Sequence, residues 1–340
     1  MAESKCVKLA LVGCGSIAQA HWRGIQGHAP QVKVTAVVDT NPDQAAAMAQ
    51  QTSSQAFNSL EQALAEGDFG AVDIMLPHNL HEEVATLAFA AGKHVVLEKP
   101  MAPTLDGCER IMAAAAKAGT VFMVAEQSQY WPDALKVQQL IRDGVLGDII
   151  TARSYFGGAA GSGTTGRTPW RYVLAKAGGG ICMDGGAHWI RPLRMWLGEV
   201  QEVVAEVGRP YAAMEGESLA RSLMRFESGT VAVFDALHAG TFIGPGEEFR
   251  VTGTLGEIII EKGRGGNVLL YDKDHPEGEV LMAKDEGRRA SFGYELHDFS
   301  QAVLQGKDLE AGPEYSLGEL RTALAIYRSA QSRQWEPVWD

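Results

Sequence analysis

The chain has 340 residues, a length that favours two domains over one, and its 46 % hydrophobic, 21 % charged composition excludes a disordered or low-complexity chain. A formal net charge of −12, with no basic stripe to offset it, argues against nucleic acid, whose phosphates it would repel. No stretch approaches the ~20 continuous apolar residues of a membrane span, and cysteines at 6, 14, 108 and 182 lack the C-x-x-C spacing of a zinc site or disulfide framework.

From the N-terminus, a lysine followed by VKLALVGCGSIA imitates a short signal peptide, but Glu3 interrupts the basic part and the apolar run is brief. VKLALV (7–12) reads as a strand instead, and Ser16 to His28 as the helix after it. Gly13, Gly15 and Ala18 fall at the turn between them in a G-x-G-x-x-A pattern. In a dinucleotide-binding loop the first glycine permits the tight turn, the second admits a pyrophosphate, and the alanine lets helix pack on strand; Ser16 and Ile17 open the helix whose free N–H groups face the phosphates. VKVTAVVD (32–39) is the second strand. It ends in Asp39, where a carboxylate accepts the adenosine ribose hydroxyls. That charge repels a 2′-phosphate and the following TNPD offers no Lys or Arg, so NAD is favoured over NADP; the alternative role for Asp39 is to cap the next helix.

AVDIML (71–76) runs into Pro77 and His78, and HVVLE (94–98) into Lys99 and Pro100. Helices over His81–Ala91 and Thr104–Lys117, the second capped by its threonine, separate these strands from a sixth, VFMVAE (121–126), which leads to Gln127. Strands alternating with helices predict right-handed βαβ units and a doubly wound parallel sheet, a Rossmann domain over residues 1–126. The pattern then changes. Residues 127–340 predict an α+β domain on a mainly antiparallel open sheet: a helix over Asp133–Ile141, a strand IITARSYF (149–156), and consecutive strands LARSLMRF, TVAVFDALHA, EEFRVTG, TLGEIIIEK and GNVLLYD. GGAAGSGTTGRT (157–168) reads as a mobile loop, and LRTALAIYRSAQ near the end as an amphipathic helix closing onto the core, with packing against the first domain left open.

Between these strands, GGICMDGGAHWIRPLRMWLG reads as a helix from about residue 180, which puts Asp184 and His188, four apart, on one face. Gly185 and Gly186 cost roughly 1 kcal/mol each against Ala in a helix, and a bulky ring against the turn would explain them.

The chain resembles the Gfo/Idh/MocA oxidoreductases, the family of inositol dehydrogenases and glucose–fructose oxidoreductase, in VGCGSIAQAH, LPHNLHEEVATLAFAAGKHVVLEKP and AGGGICMDGGAHWIRPLRMWLG. The resemblance implies that Lys99 of the E-K-P element, which begins at Glu98, reaches both nicotinamide and substrate, that the Lys99–Pro100 peptide is often cis, and that Asp184 and His188 are the family's D-x-x-x-H pair. Pro77, His78, His81, Glu98 and Gln127 join the implied cofactor site. Two positions depart from the pattern. His78 stands where Pro-Asn is usual, which leaves open the side chain that meets the nicotinamide ribose. Arg191 stands where an aspartate is frequent, and acts on the base, on an acidic substrate group, or points to solvent.

The chemistry agrees with the resemblance. A histidine can take the proton of an alcohol as hydride leaves the same carbon, and an ammonium beside the oxygen lowers its pKa. Lys99, Asp184 and His188 are therefore the expected catalytic residues. Trp170, Arg171 and His238 are the expected substrate contacts, with Tyr130 and Trp131 as further ones, since an indole gives an apolar ring face a platform and arginine gives donors to hydroxyls. The expected function is NAD-dependent oxidation of a ring hydroxyl of a sugar, glycoside or cyclic polyol in the cytoplasm, without a metal, by a homodimer or homotetramer built through the C-terminal sheet. Two alternatives stay open: glycoside cleavage through transient sugar oxidation, and a sugar-sensing protein without catalysis. Lys99, Asp184 and His188 together favour the enzyme.

Overall fold

The computed structural model describes residues 6–159, 169–244, 246–261, 266–283 and 287–339. Along the chain the elements are β1 (Val7–Val12), α1 (Ser16–His28), β2 (Val32–Val38), α2 (Pro42–Thr52), β3 (Gln55–Phe57), α3 (Leu60–Glu66), β4 (Ala71–Ile74), α4 (His81–Ala90), β5 (His94–Glu98), α5 (Leu105–Ala118) and β6 (Phe122–Ala125). There follow α6 (Pro132–Arg142), β7 (Ile149–Ala159), α7 (Leu174–Ala177), α8 (Ala187–Leu197), β8 (Val200–Gly208), β9 (Leu219–Phe226), β10 (Val231–Ala239), β11 (Glu247–Gly253), β12 (Gly256–Glu261), β13 (Val268–Asp272), β14 (Glu279–Met282), α9 (Gly287–Gln305), α10 (Leu317–Ser332) and β15 (Glu336–Pro337).

These elements form two compact units, one running to Gln127 and taking in Arg288–Leu317, the other holding Ser128–Gly287 and the residues from Gly318 on. A continuous second domain over 127–340 is thus interrupted: the helix that joins the first unit is α9, while the terminal helix α10 stays with the second. The reason lies in a close crossing. A Cβ on Gly24 of α1 would sit 2.5 Å from the main-chain nitrogen of Gly293 on α9, so the two helices meet backbone to backbone, and Leu296 and Phe299 of α9 complete the apolar core under β1 and β2.

In the first unit β1 to β6 form one parallel sheet in the order β3-β2-β1-β4-β5-β6. β4 and β6 are buried at every position, as expected of strands covered by helices on both faces. The order reverses direction between β1 and β4, which is where such sheets open a ligand crevice at their carboxyl ends. Thr104 caps α5 by accepting the Gly107 N–H.

The second unit holds a nine-stranded sheet, β14-β13-β12-β11-β7-β10-β9-β8-β15. Its pairs are antiparallel except β7 with β10, which run parallel because α7, α8, β8 and β9 intervene between them in the chain. β9 alternates buried and exposed residues without a break, the pattern of a strand with one face on the core. Residues 157–159 of the expected loop extend β7; positions 160–168 lie outside the described residues.

Arg191 and Arg194 of α8 lie under this sheet with almost no exposure, and Glu319 of α10 accepts from Arg191 Nε and Nη2 at 2.7 and 2.9 Å and from Arg194 Nη1. Arg191 Nη1 also donates to Gln129 Oε1 at 3.1 Å. Arg191 therefore neither points to solvent nor offers itself to a substrate. Arg194 is also held by Glu199, which accepts from its Nε and Nη2 at 2.8 and 2.6 Å, so replacing Glu319 by Ala leaves the buried Arg191 without a carboxylate, and urea denaturation is expected to show a loss of about 3–5 kcal/mol; an unchanged midpoint would mean that another acceptor takes it up.

Candidate active site residues

The nucleotide half of the chemistry is laid out on the first unit. Gly13 has φ +95°, and a Cβ there would meet the Met75 carbonyl oxygen at 2.5 Å, so only glycine fits the turn between β1 and α1. Gly15 is exposed with nothing within 4 Å of a would-be Cβ. It is also the N-cap of α1, with no side-chain cap on the helix, so the N–H groups of the first turn, at Ser16 and Ile17, have no cap and suit an anion. Ala18 is fully buried against the sheet. Asp39, at the end of β2, accepts the Cys14 N–H at Oδ2 and the Asn41 N–H at Oδ1, both at 2.8 Å. It straps the glycine loop to the second strand. Capping of α2 belongs to Asn41. Each carboxylate oxygen keeps a second lone pair for a hydroxyl, and these residues together fit a dinucleotide. Burial, and then Asp39, push the Cys14 thiol up to about 12, so it stays protonated.

At the ends of β4, β5 and β6 the expected residues divide. The Lys99–Pro100 peptide is cis, as the resemblance implies. Lys99 is 9 % exposed, Pro77 partly exposed, and His78 buried with its ring 5.6 Å from that of His81. His81 is a fastener: with no exposure, it sets Nδ1 2.9 Å from the Pro100 carbonyl and Nε2 2.9 Å from the Leu76 carbonyl. Burial holds its pKa below the usual histidine value, opposed by those carbonyls; the neutral ring donates to one of them, and both nitrogens face main-chain oxygens rather than a ligand. Gln127 Oε1 is buried with no hydrogen-bond partner.

The second unit carries Asp184 and His188, but not on one helix. Residues 181–186 form turns and α8 begins at Ala187. The helical pattern is imitated by a wide turn in which the Asp184 N–H donates to the Gly180 carbonyl at 3.1 Å and the Gly186 N–H to the Ile181 carbonyl at 2.7 Å. A Cβ on Gly185 would strike the Phe156 ring at 2.5 Å, so the ring expected against this turn comes from β7. Asp184 Oδ2 pairs with Arg171 Nε at 3.0 Å, and the Arg171 guanidinium stacks over Trp170 at 4.3 Å. Arg171 thus orients Asp184. His188 is half-buried beside the Trp131 ring, 6.3 Å away. Trp131 and Tyr130 are buried at 4 % and 9 % exposure and act as packing behind it. His238 on β10 is half-buried; burial lowers its pKa, with Asp184 pulling the other way.

Sequence reasoning missed what holds this turn. Glu217, between β8 and β9, accepts the Cys182 N–H and the Tyr327 hydroxyl at Oε1, each at 2.9 Å, and its carbonyl accepts the Ile181 N–H at 2.9 Å. Tyr327 of α10 in turn accepts the Gly180 N–H at 3.2 Å. Burial raises the Glu217 pKa, against those donors. Nothing in the spacing of 182, 217 and 327 signals this. His21 was missed as well, although a readable signal existed: it shares the buried face of α1 with Ala18, Gly24 and Ile25, where a titratable side chain is out of place without partners. Among the described residues no group of three or more His, Cys, Asp or Glu side chains is set to hold a metal ion, and no helix is long and apolar enough to cross a membrane.

Comparison with known proteins agrees with this layout. Residues 7–126 match the family model of an oxidoreductase family with an NAD-binding Rossmann fold, and residues 134–259 match the GFO/IDH/MocA C-terminal domain. The chain is 27 % identical over 335 residues to 1,5-anhydro-D-fructose reductase of Ensifer adhaerens, covering 95 % of this chain and 96 % of that one. It is 25 % identical over 385 residues to levoglucosan dehydrogenase of Pseudarthrobacter phenanthrenivorans, covering 98 % of each. An NAD-binding oxidoreductase of Klebsiella pneumoniae has the same fold, with a TM-score of 0.84 at 25 % identity over 98 % of this chain and 100 % of that one. With the fold, the glycine loop and both family matches in agreement, the chain belongs to the Gfo/Idh/MocA oxidoreductases.

Proposed function

We propose that the protein moves a hydride between NAD and a ring hydroxyl of a sugar, glycoside or cyclic polyol. The observation that carries this reading is the turn at 181–186 that leads into α8, which carries a half-buried histidine four residues beyond an aspartate already paired with an arginine. Two relatives, a reductase and a dehydrogenase named for sugars, support the substrate class. NAD supplies the hydride acceptor or donor when bound. His188 takes the hydroxyl proton in oxidation and returns it in reduction. Asp184, held by Arg171, orients the imidazole or the hydroxyl, and Lys99 stabilises the negative charge that builds on the oxygen as its proton leaves. His238 and Trp170 stand as contacts for the sugar ring. Asp39 supports NAD over NADP, because the TNPD stretch beside it carries no cation to balance a 2′-phosphate.

Two further parts of the reading concern setting. A second copy of the chain covers the outward face of the nine-stranded sheet, where Leu223 of β9 is 42 % exposed. The four thiols are all free, which suits a reducing cytoplasm.

The direct test is turnover: purified protein with NAD or NADP against a panel of monosaccharides, glycosides and inositols, followed by nicotinamide absorbance. NAD reduction with at least one panel member is expected, and silence across the panel with both cofactors would sink the reading. Asp39→Ser is expected to weaken NAD and relax the bias against NADP, since the hydrogen bonds and the repulsion vanish together; titrations showing neither change would return Asp39 to strapping the loop alone. Lys99→Met keeps the stem and deletes the ammonium, and turnover is expected to fall roughly 10²–10³-fold while NAD still binds. His188→Ala is expected to cut oxidation by roughly 10²–10⁴. The rate of the unmodified enzyme is expected to rise with pH, because only a neutral ring accepts a proton. If that limb persists in the alanine variant with a few-fold loss of rate, another group is the base.

A further inference from the structure

His21 lies on the buried face of α1 with no solvent exposure. Its Nδ1 is 2.8 Å from Asp73 Oδ2 on β4, and its Nε2 is 3.1 Å from Glu98 Oε1 at the end of β5. From α9, Glu295 Oε1 stands 3.7 Å from Nε2, and the Phe292 ring is 5.3 Å away. A neutral imidazole donates from one nitrogen and accepts at the other, whereas an ionised carboxylate has nothing to donate. Carboxylates on both nitrogens therefore call for the imidazolium. Burial opposes that charge, but Asp73, Glu98 and Glu295 outweigh it and hold the ring's pKa well above the ordinary value. Burial likewise drives Glu295 well up, with His21 opposing and Glu98, Asp73 and Glu126 adding to the rise, and neither Glu295 oxygen has a hydrogen-bond partner. Glu295 is the carboxyl that burial most disfavours as an anion, and those of Asp73 and Glu98 are the two within hydrogen-bond reach of the ring.

Glu98 faces two ways. Oε1 meets His21, and Oε2 accepts the Lys99 N–H at 3.2 Å. We propose that His21 is a positioning residue for Lys99: the imidazolium pins the Glu98 carboxylate, and Glu98 fixes the main chain from which the Lys99 side chain departs. The inference rests on the reading that Lys99 serves the reaction. α9, which the glycine crossing with α1 brings to the first unit, sets Glu295 and the Phe292 ring against His21.

Three measurements test it. At about pH 8.5, two units above the ordinary histidine pKa, nitrogen NMR of the unmodified full chain should show one histidine with both ring nitrogens protonated; a spectrum with every histidine neutral overturns the proposal. His21→Gln keeps a donor and an acceptor without the charge, and should lower turnover roughly ten- to a hundredfold, the scale of a misplaced group, with NAD affinity unchanged. In the Lys99→Met background the same substitution should cost less than about twofold, because coupled residues are not additive. Equal losses in both backgrounds would make His21 a scaffold residue only and overturn the proposal. If His21→Gln does not fold, Glu98→Gln takes its place, read only by the turnover loss in the unmodified and Lys99→Met backgrounds. If the unmodified protein turns over no sugar, the reading of function fails while this one is still judged: the carbon NMR resonance of the Lys99 ε-methylene, identified by its absence in Lys99→Met, should move in His21→Gln, and an unmoved resonance overturns it.

Discussion

Strands buried on both faces can present chemistry to solvent only where they end. In the first unit β4 and β6 have no exposed position, so the polar residues that matter stand at carboxyl ends: the glycine loop after β1, Asp39 after β2, Pro77 and His78 after β4, Lys99 after β5 and Gln127 after β6. The reversal of strand order between β1 and β4 leaves the glycine loop at the switch point, where the helices that follow the two strands depart to opposite faces of the sheet. Much else in this unit serves that edge. Gly13 makes the turn, Asp39 straps it from the neighbouring strand, and His81 ties the carbonyls of Leu76 and Pro100 behind it.

Charge removed from water must be matched, because the effective penalty is several kcal/mol per ion. Each unit solves this with a compact cluster that spans distant segments. In the first, His21 sits between Asp73 and Glu98 with Glu295 alongside. In the second, Arg191 and Arg194 share Glu319, and Arg194 also pairs with Glu199. Both clusters recruit a carboxyl from the C-terminal helices, Glu295 from α9 and Glu319 from α10, but only Glu319 accepts from the buried cations directly, so those helices contribute polar partners as well as apolar cover.

The turn that carries Asp184 shows how backbone groups are satisfied where no regular element exists. Buried N–H groups rarely go unpaired, and here those of Gly180, Ile181 and Cys182 find the Tyr327 hydroxyl, the Glu217 carbonyl and the Glu217 carboxyl. Phe156 walls the turn at Gly185, and Arg171 holds the Asp184 carboxylate. The geometry of the two residues expected to act on the sugar therefore depends on side chains from β7, from the segment before α7, from the β8–β9 connection and from α10.

Local pattern determined the elements and the nucleotide edge. β1 and α1 fall where VKLALV and Ser16–His28 place them, and Gly13, Ala18 and Asp39 stand at the turn and strand end where their spacing puts them, because each signal is short in sequence. The family motifs likewise located Lys99, Asp184 and His188. What they could not supply was partnership. Arg191, three residues from His188, is matched by Glu319, 128 positions on; His81, in line with the cofactor residues, fastens two carbonyls; the apparent helix at 180 is a wide turn held by Glu217 and Tyr327; and α9 returns to the first unit across a glycine crossing with α1. Periodicity reports which face of an element is apolar, but not which distant group will meet a buried charge or an unpaired N–H. Only the packed tertiary structure decided that, since the partner of a desolvated group is set by where the whole chain brings it.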